Sequence, residues 1–444
     1  MSDQPSSPDS ALVRVLGVWG LAASIVNVTV GGGIFRLPAG VAEALGPAAP
    51  LAYLACTVAM GLIVICVADA GSRVSLTGGP YAYVETAFGP FVGFLSGALL
   101  WVGTTLALSA VSSFFADSLA ALVPALGTVG KRAVLVCVLA LLAAANARGV
   151  RGVSRFNAAA TVAKLLPLVL LIVAGLFAMR ADNLRWTEVP TAGAVARASV
   201  LLIFAFLGLE AALVPSGEVR DPARTVPRAV FLAMGAVALL YVAVQVVAQG
   251  LLGPALAGDR TPLASAASVA LGPSGRTLIL VGSAVSMFGY VSGMTLAVPR
   301  MLFAFARDGF LPAPLAAVHP RWRTPHLAIA AQTVLVAYLA LFGNFELLAV
   351  AANVSVLLVY AACCLAAVEL RRRDVRAGGI PFQVPLTRVA PWLALAVIAW
   401  LLWGLEAREW LAAALVVVAA ALVYVITLPL RRARRAAAAP DPVP

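Results

Sequence analysis

The sequence predicts an all-α polytopic membrane protein. Of its 444 residues, 62% are hydrophobic and only 11% are charged, whereas soluble globular domains are close to a quarter charged. The mean hydropathy of +1.00 is an average over the full chain, and one membrane-spanning helix needs about 20 apolar residues. The apolar runs are continuous rather than alternating, so the pattern is that of spanning helices and not of barrel strands.

Apolar runs bounded by glycine, proline and charge predict twelve helices. Their spans are 12–43, 47–72, 82–122, 131–148, 156–179, 195–217, 226–252, 275–306, 327–343, 345–369, 389–405 and 409–430. An even number of spans places both termini on the same side of the membrane.

The basic residues indicate which side that is. Arginines cluster just outside apolar runs, as at Arg371–Arg373 and in the segment 431–435, and this is the positive-inside pattern rather than a nucleic-acid footprint. With the N-terminus inside, most basic residues fall on the cytoplasmic side. The acidic, polar N-terminal segment has the wrong charge for a signal peptide. We therefore expect a multi-pass protein of the cell membrane with both termini cytoplasmic and with no nucleic-acid partner.

Several function classes lack the residues they need. The five cysteines lie inside apolar runs without metal-ligand spacing, and the two histidines, His319 and His326, lie together in one polar connection. The sequence contains neither the HExxH nor the GxSxG motif, and no filter loop of a channel is evident. We expect no metal, no cofactor and no enzymatic activity, and the lipid bilayer is the one macromolecular environment the sequence requires.

Two of the predicted helices are interrupted in the middle. The first contains residues 30–35 (VGGGIF), and three adjacent glycines weaken a helix by roughly 1 kcal/mol each. The sixth contains residues 204–210 (FAFLGLE), with a glycine and an acid inside an apolar run. Broken helices at corresponding positions of two halves indicate a transporter's central site, because unwound backbone offers free donors and acceptors. The alternative is that the glycines serve only close helix packing.

These segments resemble the amino acid-polyamine-organocation permeases, which have a leucine-transporter-like inverted repeat. The similar segments are residues 31–35 (GGGIF) with Pro38, 77–83 (TGGPYAY), 206–210 (FLGLE), 216–229 (SGEVRDPARTVPRA) and 300–309 (RMLFAFARDG). The resemblance implies a disordered tail at 1–11, a five-helix repeat at 12–179, a second at 195–369, two peripheral helices at 389–430 and a basic tail at 431–444. One departure is Gly32, where the family commonly has serine.

The resemblance also implies a binding site. Its predicted residues are Val30, Gly31, Gly32, Gly33 and Ile34 in the first interrupted helix, and Ile203, Phe204, Ala205, Phe206 and Gly208 in the sixth. Backbone N–H groups of the glycines would bind a substrate α-carboxylate, and carbonyls around 203–206 would bind the α-amino group. Phe204 resembles an aromatic residue that closes over substrate, although a core role would also explain it.

The expected activity is secondary active transport of an amino acid by alternating access. Glu210 and Asp117 are the only acids predicted to lie deep in the membrane, and the larger nearby side chains are Phe204, Phe206 and Trp101. This composition favours neutral, mostly apolar amino acids. A cationic amino acid permease or an amino acid/polyamine exchanger is the alternative, and no obligate protein partner is evident.

Lys164 indicates how transport is energised. It lies in the middle of the apolar segment 160–167 (ATVAKLLP), and an ammonium at the bilayer centre costs about 2.5 to 3.5 kcal/mol. Unlike arginine, a desolvated lysine can lose its proton. It resembles a fifth-helix lysine of proton-dependent family members, so Lys164 and Glu210 are the predicted proton-coupling residues. A lysine that stays charged and merely ties two helices together is the alternative.

Overall fold

A computed structural model describes residues 17–74, 79–148, 153–186, 188–213, 219–376, 380–382 and 385–437. In these ranges most residues belong to α-helices, and loops or short 3-10 turns join them. The helices are α1 (Val18–Thr29), α2 (Gly33–Leu45), α3 (Ala49–Arg73), α4 (Pro80–Phe88), α5 (Pro90–Leu122), α6 (Gly127–Arg148), α7 (Val153–Ala178), α8 (Ala192–Phe206), α9 (Leu209–Ala212), α10 (Pro222–Leu252), α11 (Pro262–Arg307), α12 (His326–Phe342), α13 (Phe345–Arg372), α14 (Ala390–Trp403) and α15 (Ala407–Ala437).

Seven segments of the described chain are long and apolar enough to cross a membrane. They are Gly33–Arg73, Pro90–Leu122, Gly127–Arg148, Pro222–Leu256, Pro262–Arg307, Phe345–Arg372 and Ala407–Pro429. Shorter apolar helices are Val18–Thr29, Lys164–Ala178, Ala192–Phe206, His326–Phe342 and Ala390–Trp403. The helical, polytopic character predicted from the sequence agrees with this architecture, and the total of twelve spans stays a prediction.

Two predicted spans differ from the observed helices. The span 82–122 is divided into α4 and α5 at Gly89, whose φ of 84° is a conformation that favours glycine, and Pro90 then starts the next helix. The span 275–306 is longer than predicted, because α11 begins at Pro262 and bends at Gly272, where φ is 72°. In both cases a glycine with positive φ is followed by proline, a pair that marks the end of one helix and the start of another.

Parts of the sequence-based predictions fall outside the described residues. These parts are the tail at 1–11, the end of the basic tail at 438–444, residues 77 and 78 of the second similar segment, and residues 216–218 of the fourth.

The interrupted helices are surrounded by long ones. Helix α13 packs against α3, α4, α5 and α8, α10 packs against α1 and α3, and α11 packs against α5 and α7. The largest fully buried side chains include four tyrosines, Tyr53, Tyr83, Tyr241 and Tyr360. By contrast α6 buries only Leu135 and Leu139 among its described side chains. The described chain therefore buries these four tyrosines in its interior, whereas α6 contributes little to the core.

A buried ion cluster joins α3 to α13 at the end of each helix. Asp69 is fully buried, and its carboxylate accepts hydrogen bonds from Arg73 Nε at 2.9 Å and from Arg371 Nη2 at 2.5 Å. The sequence-based statement that Glu210 and Asp117 are the only deep acids is therefore wrong. Asp117 has a side chain 51% exposed and pairs with Lys131, whereas Asp69 lies deep because two guanidinium groups compensate its charge.

Candidate functional site

Two helix interruptions meet at the centre of the molecule. Helix α1 ends at Thr29 and α2 begins at Gly33, whereas α8 ends at Phe206 and α9 begins at Leu209. Gly208 adopts a φ of 126° between the latter pair, a conformation that L side chains rarely adopt. Both breaks occur inside the segments in which the sequence predicts them.

The predicted binding residues divide between the breaks and the adjoining helix ends. Val30, Gly31 and Gly32 lie in the first break and Gly208 lies in the second. Gly33 and Ile34 open α2, while Ile203, Phe204, Ala205 and Phe206 form the last turn of α8. The last four carbonyls of an α-helix have no partner within that helix, so the end of α8 offers acceptors even though it remains helical.

The two breaks touch each other through glycines. A methyl group built on Gly33 would lie 3.1 Å from the Cα atom of Ala205 and 3.1 Å from Cδ1 of Phe204. One built on Gly208 would lie 3.0 Å from the backbone N of Thr29 and 3.0 Å from the carbonyl carbon of Val28. At these two positions a side chain has no room, because the obstructing atoms include backbone.

Two hydroxyl groups hold the unwound backbone. The Tyr241 hydroxyl, on α10, lies within hydrogen-bonding distance of the Thr29 carbonyl at 3.1 Å and the Ala205 carbonyl at 2.9 Å. One hydroxyl, which has a single hydrogen to donate, therefore lies between a carbonyl beside the first break and a carbonyl beside the second. The Ser286 hydroxyl, on α11, lies 3.2 Å from the Val30 carbonyl and 3.3 Å from the Gly31 carbonyl.

A small cavity lies between the two breaks. Its lining residues are Thr29, Gly31, Gly32, Gly33, Ala107, Val111, Phe204, Leu207 and Tyr290. The volume is about 10 Å³, which is close to the minimum for a single water molecule. Among these lining residues none carries a formal charge, and Thr29 contributes a hydroxyl that has no hydrogen-bond partner among the described residues.

Lys164 contacts the first break from α7. Its Nζ donates a hydrogen bond to the backbone carbonyl of Asn27 in α1, and the residue is 2% exposed. In the described part of the chain Lys164 forms no ion pair. The ammonium is therefore positioned by the backbone of α1, close to where that helix unwinds.

Glu210 contacts the second break instead. Its two carboxylate oxygens lie 3.0 and 3.1 Å from the backbone N of Gly208, and Oε2 accepts a hydrogen bond of 2.5 Å from the Tyr360 hydroxyl on α13. The two predicted coupling residues thus bind different breaks, and the described structure shows no contact between them.

A second, larger cavity lies further along α2 and α8. It has a volume of about 570 Å³, and its lining includes Gly40, Arg197 and Arg408. Gly40 is seven residues beyond Gly33, which corresponds to about 10 Å along a helix. Arg197 and Arg408 also hold the pKa of the nearby Glu406 carboxyl below its usual range.

Aromatic rings pack beside the small cavity. Phe204 packs edge-to-face against Phe345 of α13, with ring centroids 5.5 Å apart, and Phe345 in turn lies 5.8 Å from Phe114 of α5. Phe204, which lines the small cavity, is thus packed against side chains of α13 and, through Phe345, of α5.

Comparison with known proteins identifies the fold and its class of function. Residues 16–430 match the amino acid permease family. The chain belongs to the amino acid permease family. The match covers most of the sequence, and it confirms the resemblance that the glycine-rich segment and its companions indicate.

Named relatives of this permease are transporters. The methylthioribose transporter of Bacillus subtilis is 28% identical over 438 residues, covering 94% of each chain. The serine/threonine exchanger of the same organism is 28% identical over 405 residues, covering 87% of the permease and 90% of the relative. An uncharacterized transporter of Mycobacterium tuberculosis is 32% identical over 351 residues, covering 76% of each. The permease is a multi-pass membrane transporter and not an enzyme.

Several residues of the permease site escape sequence reasoning. Thr29, Tyr241, Ser286, Tyr290 and Tyr360 all contact or line the breaks. Each is a polar or aromatic residue inside an apolar helix, which is the one signal that could have identified it. The backbone carbonyls near Tyr241 and Ser286 and the Glu210 carboxylate that Tyr360 binds lie far away in the sequence, so helix periodicity alone does not assign these partners.

Proposed function

We propose that the permease is a secondary active transporter that takes up neutral amino acids together with protons. The observation that supports this most is the small, uncharged cavity between two touching helix breaks, with a buried lysine bonded to the backbone of α1 just before one of them. We further propose the arrangement that the resemblance implies, namely two five-helix repeats and two peripheral helices, with both termini cytoplasmic.

The two ends of an amino acid fit the two helix ends. The start of α2 presents the N–H groups of Gly32 and Gly33, with the positive end of the helix dipole, to a carboxylate, whereas the Gly31 N–H donates to the Thr29 carbonyl at 2.8 Å. The end of α8 presents carbonyls to an ammonium group, because the last four carbonyls of a helix accept no hydrogen bond from within that helix. We assign the α-carboxylate to the first and the α-amino group to the second.

The cavity lining favours a neutral substrate side chain. Ala107, Val111 and Leu207 are apolar, and the Glu210 carboxylate is engaged by Gly208 and Tyr360. Burying an uncompensated cationic side chain here would carry a large desolvation cost. The relative that exchanges serine and threonine also carries neutral amino acids, which agrees with this assignment.

A second candidate substrate is a neutral thioether sugar. The similarity to the methylthioribose transporter covers 94% of both chains, and methylthioribose has no carboxylate. The two candidates therefore differ in whether the carboxylate contacts at α2 are used. Polyamines and cationic amino acids form a third class.

A competition panel in proteoliposomes tests the substrate. Labelled alanine and leucine uptake should be inhibited by other neutral amino acids, and weakly by arginine, lysine, putrescine or methylthioribose. Decarboxylated amines should compete poorly. If methylthioribose were transported and amino acids were not, the carboxylate assignment would be wrong, and efficient competition by arginine or putrescine would favour the cationic class.

For energy coupling we assign the proton to Lys164, with Glu210 as the second titratable group of the site. A lysine that gives up its proton would weaken its charge-assisted hydrogen bond to the Asn27 carbonyl and loosen α1, whereas one that stays charged would only tie α7 to α1. The first case gives proton-driven uptake, and the second suits an exchanger.

The permease contains only one other lysine, Lys131, which supplies a matched control. Lys131 is partly exposed and pairs with Asp117 at 2.6 Å. We expect sodium-free uptake driven by an inward proton gradient, abolished in Lys164→Ala and retained in Lys131→Ala, with substrate binding changed less than transport. Full uptake in Lys164→Ala, or a strict need for sodium, would remove Lys164 as the coupling residue.

A further inference from the structure

The Thr29 hydroxyl is the unusual polar group of the central cavity. Thr29 is 3% exposed, lines the cavity, and its Oγ1 has no hydrogen-bond partner among the described residues. A buried hydroxyl without a partner costs free energy. A hydrogen-bond acceptor on the bound substrate would give the Thr29 hydroxyl a partner and offset this cost.

Several other threonines of the permease differ from Thr29, because their hydroxyls bond to a carbonyl of their own helix. Five of them donate to the carbonyl four residues earlier in their own helix, at 2.7 or 2.8 Å, namely Thr57, Thr86, Thr104, Thr333 and Thr427. This is the ordinary way in which a helix satisfies a threonine. Thr29 ends its helix and lines the cavity, and its hydroxyl makes no such bond within its helix.

Gly32 is the second residue that bears on the role of the Thr29 hydroxyl. Permeases that this sequence resembles commonly have serine there, but a Cβ atom on Gly32 would lie 3.0 Å from Cγ of Met287 and 3.2 Å from Cγ1 of Val111. Met287 and Val111 thus occupy the space of that side chain. Gly32 therefore supplies no hydroxyl to the cavity, whereas Thr29, three residues earlier, carries one.

We propose that the Thr29 hydroxyl binds the substrate α-carboxylate in place of the serine hydroxyl that is absent at Gly32. This assignment rests on the proposed amino acid substrate. Thr29 lines the same cavity as Gly32 and Gly33, so its hydroxyl would add one side-chain donor to their backbone N–H groups. The Thr29 carbonyl is engaged separately by Tyr241, so the backbone and side chain of this residue have different roles.

Removal of the hydroxyl alone tests the proposal. Thr29→Val keeps the shape of the side chain, and the loss of a hydrogen bond to a charged group should raise the KM for amino acid uptake about 10- to 100-fold. Thr29→Ser should retain most of the affinity. Thr104→Val is the matched control, because Thr104 is equally buried but bonds its own helix, and its KM should be unchanged.

The ligand supplies a second control. The amine that lacks the carboxylate should bind wild type and Thr29→Val equally weakly, measured by ligand-induced thermal stabilisation of the purified protein. In Thr29→Val, the further changes Gly32→Ser and Met287→Ala should restore part of the affinity by supplying the hydroxyl from the other position.

Each contrary result has a distinct meaning. An unchanged KM in Thr29→Val, an equal loss for the amine and the amino acid, or an equal loss in Thr29→Ser would overturn the role of the hydroxyl, while the proposed amino acid substrate would stand. If the wild type bound no amino acid at all, the proposed function would fail and the carboxylate assignment would fail with it.

Discussion

Replacement of Gly208 by alanine should destabilise the permease more than any ordinary glycine substitution. Gly208 has a φ of 126°, and the added methyl would lie 3.0 Å from Thr29 N, 3.0 Å from Val28 C and 3.0 Å from Val28 Cγ1. A residue held in such a backbone conformation costs about 1 to 3 kcal/mol, and overpacking costs a further ~1 to 3 kcal/mol. Together these predict a loss of about 2 to 6 kcal/mol in the free energy of unfolding.

Gly235 provides the control for this measurement. It lies on an exposed face in the middle of α10, and a Cβ there would meet nothing within 4 Å. Gly235→Ala should therefore stabilise its helix by about 0.5 to 1 kcal/mol. The two alanine variants have identical chemistry, so their difference isolates the geometry of the break.

The assay is equilibrium unfolding of the purified variants in mixed micelles, with proteoliposome uptake measured in parallel. Gly208→Ala should unfold at lower denaturant and lose uptake, while Gly235→Ala should retain both. If the two variants differed by less than about 1 kcal/mol, the close approach of the second break to α1 would not constrain the molecule as argued.

Three further substitutions follow from the same contacts. Gly32→Leu should abolish uptake while the protein still inserts, as judged by size-exclusion profile, because a branched side chain would push against Met287 and Val111 at the wall of the cavity assigned to the carboxylate and would favour helix across the break. Asp69→Asn should lower the free energy of unfolding by about 3 kcal/mol, because it leaves two arginines without their buried counter-charge. The control, Asp117→Asn, removes one charge of a half-exposed ion pair and should lower the free energy of unfolding by less than about 1 kcal/mol. Tyr241→Phe keeps the ring but removes the donor to both breaks, and initial uptake rates should fall about tenfold.

The sequence predicts the helical architecture and both breaks because these depend on local composition. Three consecutive glycines and a glycine–acid pair in apolar runs are visible without any knowledge of the fold. The breaks occur at those positions, while the predicted span 82–122 passes over the junction at Gly89 because an apolar run continues across it, and the predicted span that begins at 275 leaves out the helical segment before Gly272. Positive φ at a glycine is a property of the backbone that hydropathy does not record.

Pairings across the molecule could not be predicted in the same way. Asp69 lies in an apolar helix, and its second partner, Arg371, is 302 residues away. Likewise Tyr241 binds carbonyls 212 and 36 residues earlier. A buried polar side chain indicates that a partner exists, because an unsatisfied one is costly, but only the packing of the helices determines which atom it is.

The contacts around the breaks make them a single mechanical unit. Gly33 lies against Ala205, Gly208 lies against Thr29, and one hydroxyl of Tyr241 reaches the carbonyls of Thr29 and Ala205. Since neither break has room to move independently, displacement of α1 must also change the hydrogen bonding at the end of α8. A carboxylate bound at α2 and an ammonium bound at α8 would therefore act on the same element, which is the physical requirement for a substrate to favour one packing of the helices over another.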